Sequence, residues 1–266
     1  MSLLAKKSHI ACVIALVWVL MIGFMLSFTT VYADLPDTIE RTLPSIVGIG
    51  TVQKTRRPPA KLTGTGFVVW DGRHVITNAH VIPEKIDSAR LEYLAVFTGK
   101  GKTPQARQAV KVKQDKTHDL VLLRFEGKPL PVMSLGQSTR VRTGEEYIFT
   151  GFPLGALFGL YPVTHRGMVS SITPIALQTN AASQLDPTQI RRLRSPYDVF
   201  QLDATAYPGN SGSPLYHPES GKVVGIINMV FVKEGRENIL AKPSGISYAI
   251  PGQYARQLLK KAGLTP

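Results

Sequence analysis

Cysteine is almost missing from this chain: among 266 residues the only one is Cys12, inside an apolar run near the amino terminus. A single thiol cannot close an internal disulfide, so a disulfide-stapled scaffold and a cysteine-ligated zinc site are both excluded. Acidic residues are also few, 18 against 31 basic ones, for a formal net charge of +13. That excess leaves an anionic partner open and says nothing about fold. The Lys and Arg residues are scattered without an aromatic-rich platform, so no nucleic-acid partner is expected. There is no phosphate-cradling glycine loop, no dinucleotide fingerprint, no internal repeat and no low-complexity tract. His74 and His80 lack a nearby carboxylate or cysteine partner at ligand spacing, so neither metal nor cofactor is expected. What the chain does have is 44% apolar residues, 23 glycines and 19 prolines. That composition suits a folded, turn-rich protein of one to two domains.

Lys6 and Lys7 precede an uncharged stretch from Ile10 to Ala33 whose apolar heart is Ile10–Phe28, with Val31 and Ala33 at the spacing of a cleavage site. Residues 1–33 are therefore expected to be a signal peptide. The alternative is an uncleaved anchor, since an apolar run of about 18 or more residues can span a bilayer. Either way residues 34–266 are expected to be exported. Membrane contact would then come only through the amino-terminal segment, if it stays attached.

After Asp34, short β-branched or alternating runs recur between turn signals. Strands are expected near Ile46–Gln53, Gly66–Trp70, His74–Thr77, Leu94–Phe97, Ala109–Asp115, Leu120–Phe125 and Tyr147–Thr150, and again near Thr164–Ile172, Val199–Asp203, Val223–Met229 and Ser247–Ile250. Val110 and Val112 alternate with Lys111 and Lys113, the period of a half-buried strand. Leu120–Phe125 is apolar almost throughout and should lie deeper. About a dozen short strands point to an all-β sandwich or barrel pair, closed by one convincing helix at Gln253–Ala262. Residues 180–198, with Arg191, Arg192 and Arg194, break this rhythm and read as a solvated surface loop.

Three short segments carry chemistry: Thr77-Asn78-Ala79-His80-Val81, Thr117-His118-Asp119-Leu120-Val121, and Pro208-Gly209-Asn210-Ser211-Gly212-Ser213-Pro214. A serine hydroxyl is a weak nucleophile at neutral pH and needs a base to take its proton. Imidazole suits that task, and a carboxylate fixes its tautomer and stabilises its cation. Asp119 opens an apolar strand, where a carboxylate has no packing reason to be and would need a partner such as His80. Gly209 and Gly212 flank Ser211 and permit a turn that aims the Gly209 and Ser211 N–H groups at one point, as an oxyanion requires, with Asn210 adding its backbone to the loop. Singly, each residue also fits a structural part: a satisfied histidine, a strand cap, a loop. Together they run His, Asp, Ser along the chain with gaps of 39 and 92 residues.

At this point the chain resembles a trypsin-like serine protease of the HtrA/DegP type. The likeness rests on Gly64-Thr65-Gly66-Phe67-Val68-Val69 leading into Thr77-Asn78-Ala79-His80-Val81, and on Asp119-Leu120-Val121-Leu122-Leu123. It continues through Gln201-Leu202-Asp203-Ala204 with Pro208-Gly209-Asn210-Ser211-Gly212, then Val224-Gly225-Ile226, and ends at Gly245-Ile246-Ser247-Tyr248-Ala249-Ile250-Pro251. It covers about residues 38–256. It implies two perpendicular six-stranded antiparallel β-barrels, roughly 38–135 and 136–256, with the cleft between them. It also implies hydrolysis of peptide bonds in unfolded or damaged polypeptides in the periplasm or cell envelope. His80 would be the base, Asp119 its orienter and Ser211 the nucleophile, without cofactor or metal. A trimer-forming segment would be confined to about Asp34–Pro44. Only residues 251–266 follow the last expected strand, so no PDZ module is expected. Ser213 stands where such proteases usually carry glycine.

The resemblance puts the floor of the primary substrate pocket at Thr205, its wall at Asn228, Met229 and Val230, and Gly245 opposite. An uncharged floor predicts cleavage after small or medium apolar residues. The competing reading is a weakly catalytic or non-catalytic holdase or adaptor on the same barrels. His118 reads as a surface neighbour of Asp119, and His165 and His217 as loop residues.

Overall fold

Two closed antiparallel barrels organise the described part of the computed structural model, which comprises residues 34–102, 104–153, 159–175, 196–228 and 245–265. The expected leader 1–33, most of the 180–198 stretch, Met229 and Val230 lie outside the described residues. Among those described, no helix is long and apolar enough to cross a membrane.

The first barrel contains β1 (Ile46–Gln53), β2 (Ala60–Val69), β3 (His74–Asn78), β4 (Glu92–Thr98), β5 (Gln105–Asp115) and β6 (Leu120–Phe125). They are ordered β1-β2-β3-β6-β5-β4, and β1 pairing with β4 closes the ring. The second contains β7 (Glu146–Gly151), β8 (Val163–Pro174), β9 (Asp198–Asp203), β10 (Pro214–Tyr216), β11 (Val223–Asn228) and β12 (Ile246–Pro251). It is ordered β10-β11-β12-β9-β8-β7 and closes through β10 and β7. The expected two six-stranded barrels are thus present. Strand β10 escaped the sequence reading because it is three residues long and begins with a proline.

The depth of β6 has a simple cause. Successive side chains of a strand point to opposite faces. Leu120 and Leu122 join a cluster with Tyr216, Ile226 and Ile250 of the second barrel, while Val121 and Leu123 fill the first barrel beside Ile49, Val75 and Val96. Both faces are buried, so only Arg124 breaks the apolar run. The alternation in β5 has the opposite meaning from the one expected. Val110 and Val112 are exposed, because Ala109 takes the core position and a bulge between Lys111 and Lys113 shifts the register.

The closing helix α2 (Gly252–Lys261) buries Ala255, Leu258 and Leu259, one face at helical spacing, in the cluster between the barrels. Its Arg256 donates to the carbonyls of Leu135 and Gly136 in the inter-barrel connection, at 2.8 and 3.2 Å. A further helix, α1 (Leu35–Thr42), was not foreseen: it is only eight residues long, with Pro36 in its first turn and Arg41 in its last. Thr38 Oγ1 and Arg41 donate to the Glu219 carbonyl, tying the segment that precedes β1 to the β10–β11 turn.

Candidate active site

His80 sits in a 3-10 turn, Ala79–Val81, directly after β3. Strand β3 pairs with β6, Asn78 opposite Leu120, which brings Asp119 alongside the turn. Asp119 has φ +54, in the left-handed region that aspartate, with its short polar side chain, enters more readily than most non-glycine residues. Two neighbours hold it there: Ala79 N–H donates to its carbonyl at 2.9 Å and the Asn78 amide at 3.2 Å. Its side chain then faces the histidine.

The Asp119 carboxylate accepts three hydrogen bonds. Oδ1 takes the His80 backbone N–H at 2.9 Å, and Oδ2 takes His80 Nδ1 at 2.6 Å and the Asn228 amide at 2.7 Å. An ionised carboxylate only accepts, so Nδ1 carries the proton and Nε2 presents its lone pair. Nε2 lies 3.0 Å from Ser211 Oγ. Three side chains separated by 39 and 92 residues in sequence therefore form one hydrogen-bonded line across the two barrels.

The serine loop is held from both sides. Gly209 and Gly212 have φ +105 and +87. A Cβ at Gly212 would also stand 2.0 Å from the Thr65 carbonyl oxygen, which leaves glycine as the residue that fits. Asn210 N–H donates to Tyr207, Ser213 N–H to Asn210 and Gly212 N–H to Ile227. From β2 of the first barrel, Thr65 N–H donates to the Ser211 carbonyl at 2.9 Å and Thr65 Oγ1 to the Gly209 carbonyl at 2.7 Å. Among the described residues neither the Gly209 N–H nor the Ser211 N–H donates a hydrogen bond, whereas the Asn210 N–H is engaged within the loop. Ser213 is fully buried, and its Oγ has no hydrogen-bond partner among the described residues, so it is no rival to Ser211 for His80.

The expected pocket residues divide. Thr205 lies between β9 and the serine loop, where Ser247 Oγ accepts from Ala206 N–H at 2.8 Å and donates to the Ala204 carbonyl at 2.6 Å. Gly245 is exposed, and a Cβ placed there would meet nothing among the described residues. Asn228 is fully buried and turned onto Asp119, so it serves the carboxylate before any pocket wall. Met229 and Val230 lie outside the described residues.

Two histidines differ from their sequence reading. His118 is not a surface neighbour: its Nδ1 meets Asp115 at 2.8 Å, and its ring stacks on Tyr254 with centroids 3.8 Å apart. Asp115, four residues before Asp119, gave no sign of this role as the last residue of an expected strand. His165 belongs to β8 and stacks on Phe149, where burial lowers its pKa. The part played by Thr65 was equally hidden, since a threonine within a strand pattern looks like any β-former.

The chain is similar to known serine proteases. Serine protease HTRA1A of Danio rerio is 30% identical over 236 residues, covering 87% of this chain and 42% of that protein. A probable periplasmic serine endoprotease, DegP-like, of Hahella chejuensis is 28% identical over 283 residues, covering 93% of this chain and 52% of that protein. The chain thus spans about half or less of the length of these curated relatives. In the solved structure of the HtrA-type protease AlgW with a tripeptide, the fold matches with a TM-score of 0.60 at 23% identity, covering 86% of this chain and 63% of that one. The trypsin-like peptidase domain matches residues 64–226, from the strand that grips the serine loop to the strand beyond it, and the chain belongs to that family.

Proposed function

We propose that this protein is an exported serine endopeptidase that cleaves polypeptides through an acyl-enzyme. His80 Nε2 takes the Ser211 proton as Oγ attacks the carbonyl carbon of the scissile bond. The C=O π-electrons move onto oxygen, and the Gly209 and Ser211 N–H groups receive that oxyanion, a donor of this kind contributing about 3 kcal/mol. The intermediate collapses, His80 returns the proton to the departing amine nitrogen, and the acyl group stays on Ser211. Water repeats the sequence and frees the acid, while Asp119 holds the imidazole orientation and stabilises its cation throughout.

The observation that carries this reading is the continuous line from Asp119 Oδ2 through His80 to Ser211 Oγ, at 2.6 and 3.0 Å. The uncharged Thr205 favours small or medium apolar side chains before the scissile bond. The Lys6-Lys7 and Ile10–Phe28 pattern favours export to the periplasm or envelope, where unfolded polypeptides would be the substrates. The test is digestion of unfolded casein by the protein and by its Ser211→Ala variant. Digestion is expected from the first and not the second. Equal, negligible digestion by both would overturn the reading in favour of a binding protein on the same barrels. A peptide library would refute the pocket assignment if basic residues dominated the position before the cut.

A further inference from the structure

The serine loop lies in the second barrel, and three of its peptide groups, from Gly209 to Gly212, have tethers that can be followed one by one. The Gly209–Asn210 plane is held at its carbonyl by Thr65 Oγ1 (2.7 Å) and at its N–H by Tyr207 O (2.9 Å). The Asn210–Ser211 plane is held at its carbonyl by Ser213 N–H, leaving the Ser211 N–H forward. The Ser211–Gly212 plane is held at its carbonyl by Thr65 N–H and at its N–H by Ile227 O. Thr65 therefore supplies both donors that come from the first barrel, and its hydroxyl has one hydrogen to give, which goes to Gly209.

That hydroxyl is fixed in turn. Thr65 is fully buried, its Oγ1 accepts the Phe152 N–H at 3.0 Å, and its carbonyl accepts Thr77 Oγ1 at 2.6 Å. Phe152 follows β7, and Thr77 stands three residues before His80. One residue thus links the histidine strand, through its carbonyl, with the β7 end and the serine loop, through its hydroxyl. Gly209 has no Cβ to restrict its own torsions, so the setting of its N–H depends on what grips the neighbouring plane.

We infer that Thr65 is a positioning residue for the oxyanion donors: through its hydroxyl, the first barrel sets the Gly209–Asn210 peptide and with it the direction of the Gly209 N–H. The inference rests on the serine-protease reading and deepens it. Thr65→Val keeps the shape and removes the hydroxyl. The resulting freedom weakens the transition state more than substrate binding, so kcat is expected to fall by about tenfold to a hundredfold with KM within about threefold. Thr65→Ser restores the hydroxyl and is expected to recover kcat to within about threefold of wild type, which a purely packing role for the Thr65 methyl would not do.

The experiment measures kcat and KM for wild type, Ser211→Ala, Thr65→Val and Thr65→Ser in parallel, with a crystal structure of Thr65→Val. Wild-type digestion absent from Ser211→Ala secures the protease reading on its own. A Thr65→Val kcat equal to wild type then overturns the assignment to Thr65, as does a Thr65→Ser kcat as low as that of Thr65→Val. If wild type does not digest substrate, the protease reading fails separately, and the crystal structure still decides. A rotated Gly209–Asn210 plane supports the inference, and a loop that superimposes on wild type overturns it. Should Thr65→Val not fold, Thr65→Ala removes the same hydrogen bond without a methyl against the Gly209 carbonyl and is read in the same way.

Discussion

The side-chain amide of Asn228 donates to Asp119 Oδ2 at 2.7 Å, the same oxygen that His80 Nδ1 reaches at 2.6 Å. Hydrogen bonds to a charged group contribute about 1.5–3 kcal/mol, so Asn228→Ala is expected to lower kcat at least about tenfold while Ser211 still reacts with a fluorophosphonate. Asn228→Asp sets a second carboxylate against the first, and two such groups in contact cannot both ionise easily. The pair holds a proton to higher pH, so the acid limb of the kcat/KM profile should move upward. A profile superimposable on wild type would remove Asn228 from the machinery.

Gly212 combines φ +87 with a Cβ direction that runs into the Thr65 carbonyl and Thr77 Oγ1. Alanine there meets backbone on one side and a disfavoured torsion on the other. Gly212→Ala should destabilise the fold by more than about 3 kcal/mol, read as a large drop in the urea midpoint, and abolish digestion.

Ser213 presents the reverse case. Its hydroxyl is fully buried beside Gly151 and Asn210 without a hydrogen-bond partner among the described residues. Leaving such a group unpaired costs about 1–3 kcal/mol. Ser213→Ala is expected to raise stability by about 1 kcal/mol with an unchanged urea slope, and to leave digestion intact.

Asp115 predicts a pH dependence. Burial alone would raise its carboxyl, but the His118 ring, the His118 backbone N–H and the charges of His118 and Lys261 prevail and bring it from 3.8 to about 2. A carboxyl more acidic folded than unfolded adds stability above the unfolded value and loses it as pH falls through the folded one. The wild-type protein should therefore lose about 2 kcal/mol between pH 5 and pH 1.5 through this group alone, and Asp115→Asn should be less stable at pH 7 with a flatter acid limb. Urea unfolding at a series of pH values measures both. Parallel acid limbs would contradict the assignment.

The barrels were legible because strand patterning is local. Ile46–Gln53 and Leu120–Phe125 begin and end where their β-branched and apolar runs do. The meeting of His80, Asp119 and Ser211 was legible through residue type and order. Less legible was whatever depends on direction. Val110 and Val112 have the right period for a buried face, yet Ala109 takes the core side and Val110 faces outward with its partner Arg124, because periodicity alone does not say which face is buried. The family resemblance puts Asn228 in a pocket wall, while its amide is aimed at a carboxylate 109 residues away. Thr65 left no trace beyond a β-favouring residue between two glycines.

Each barrel is sealed by its own outermost strands, β1 on β4 and β10 on β7. A sheet without margins has no idle row of N–H and C=O groups for a foreign strand to copy, which is how misfolded chains usually recruit one another. On the proposed reading, which brings unfolded polypeptides to the cleft, sealed barrels give those substrates no strand edge to extend.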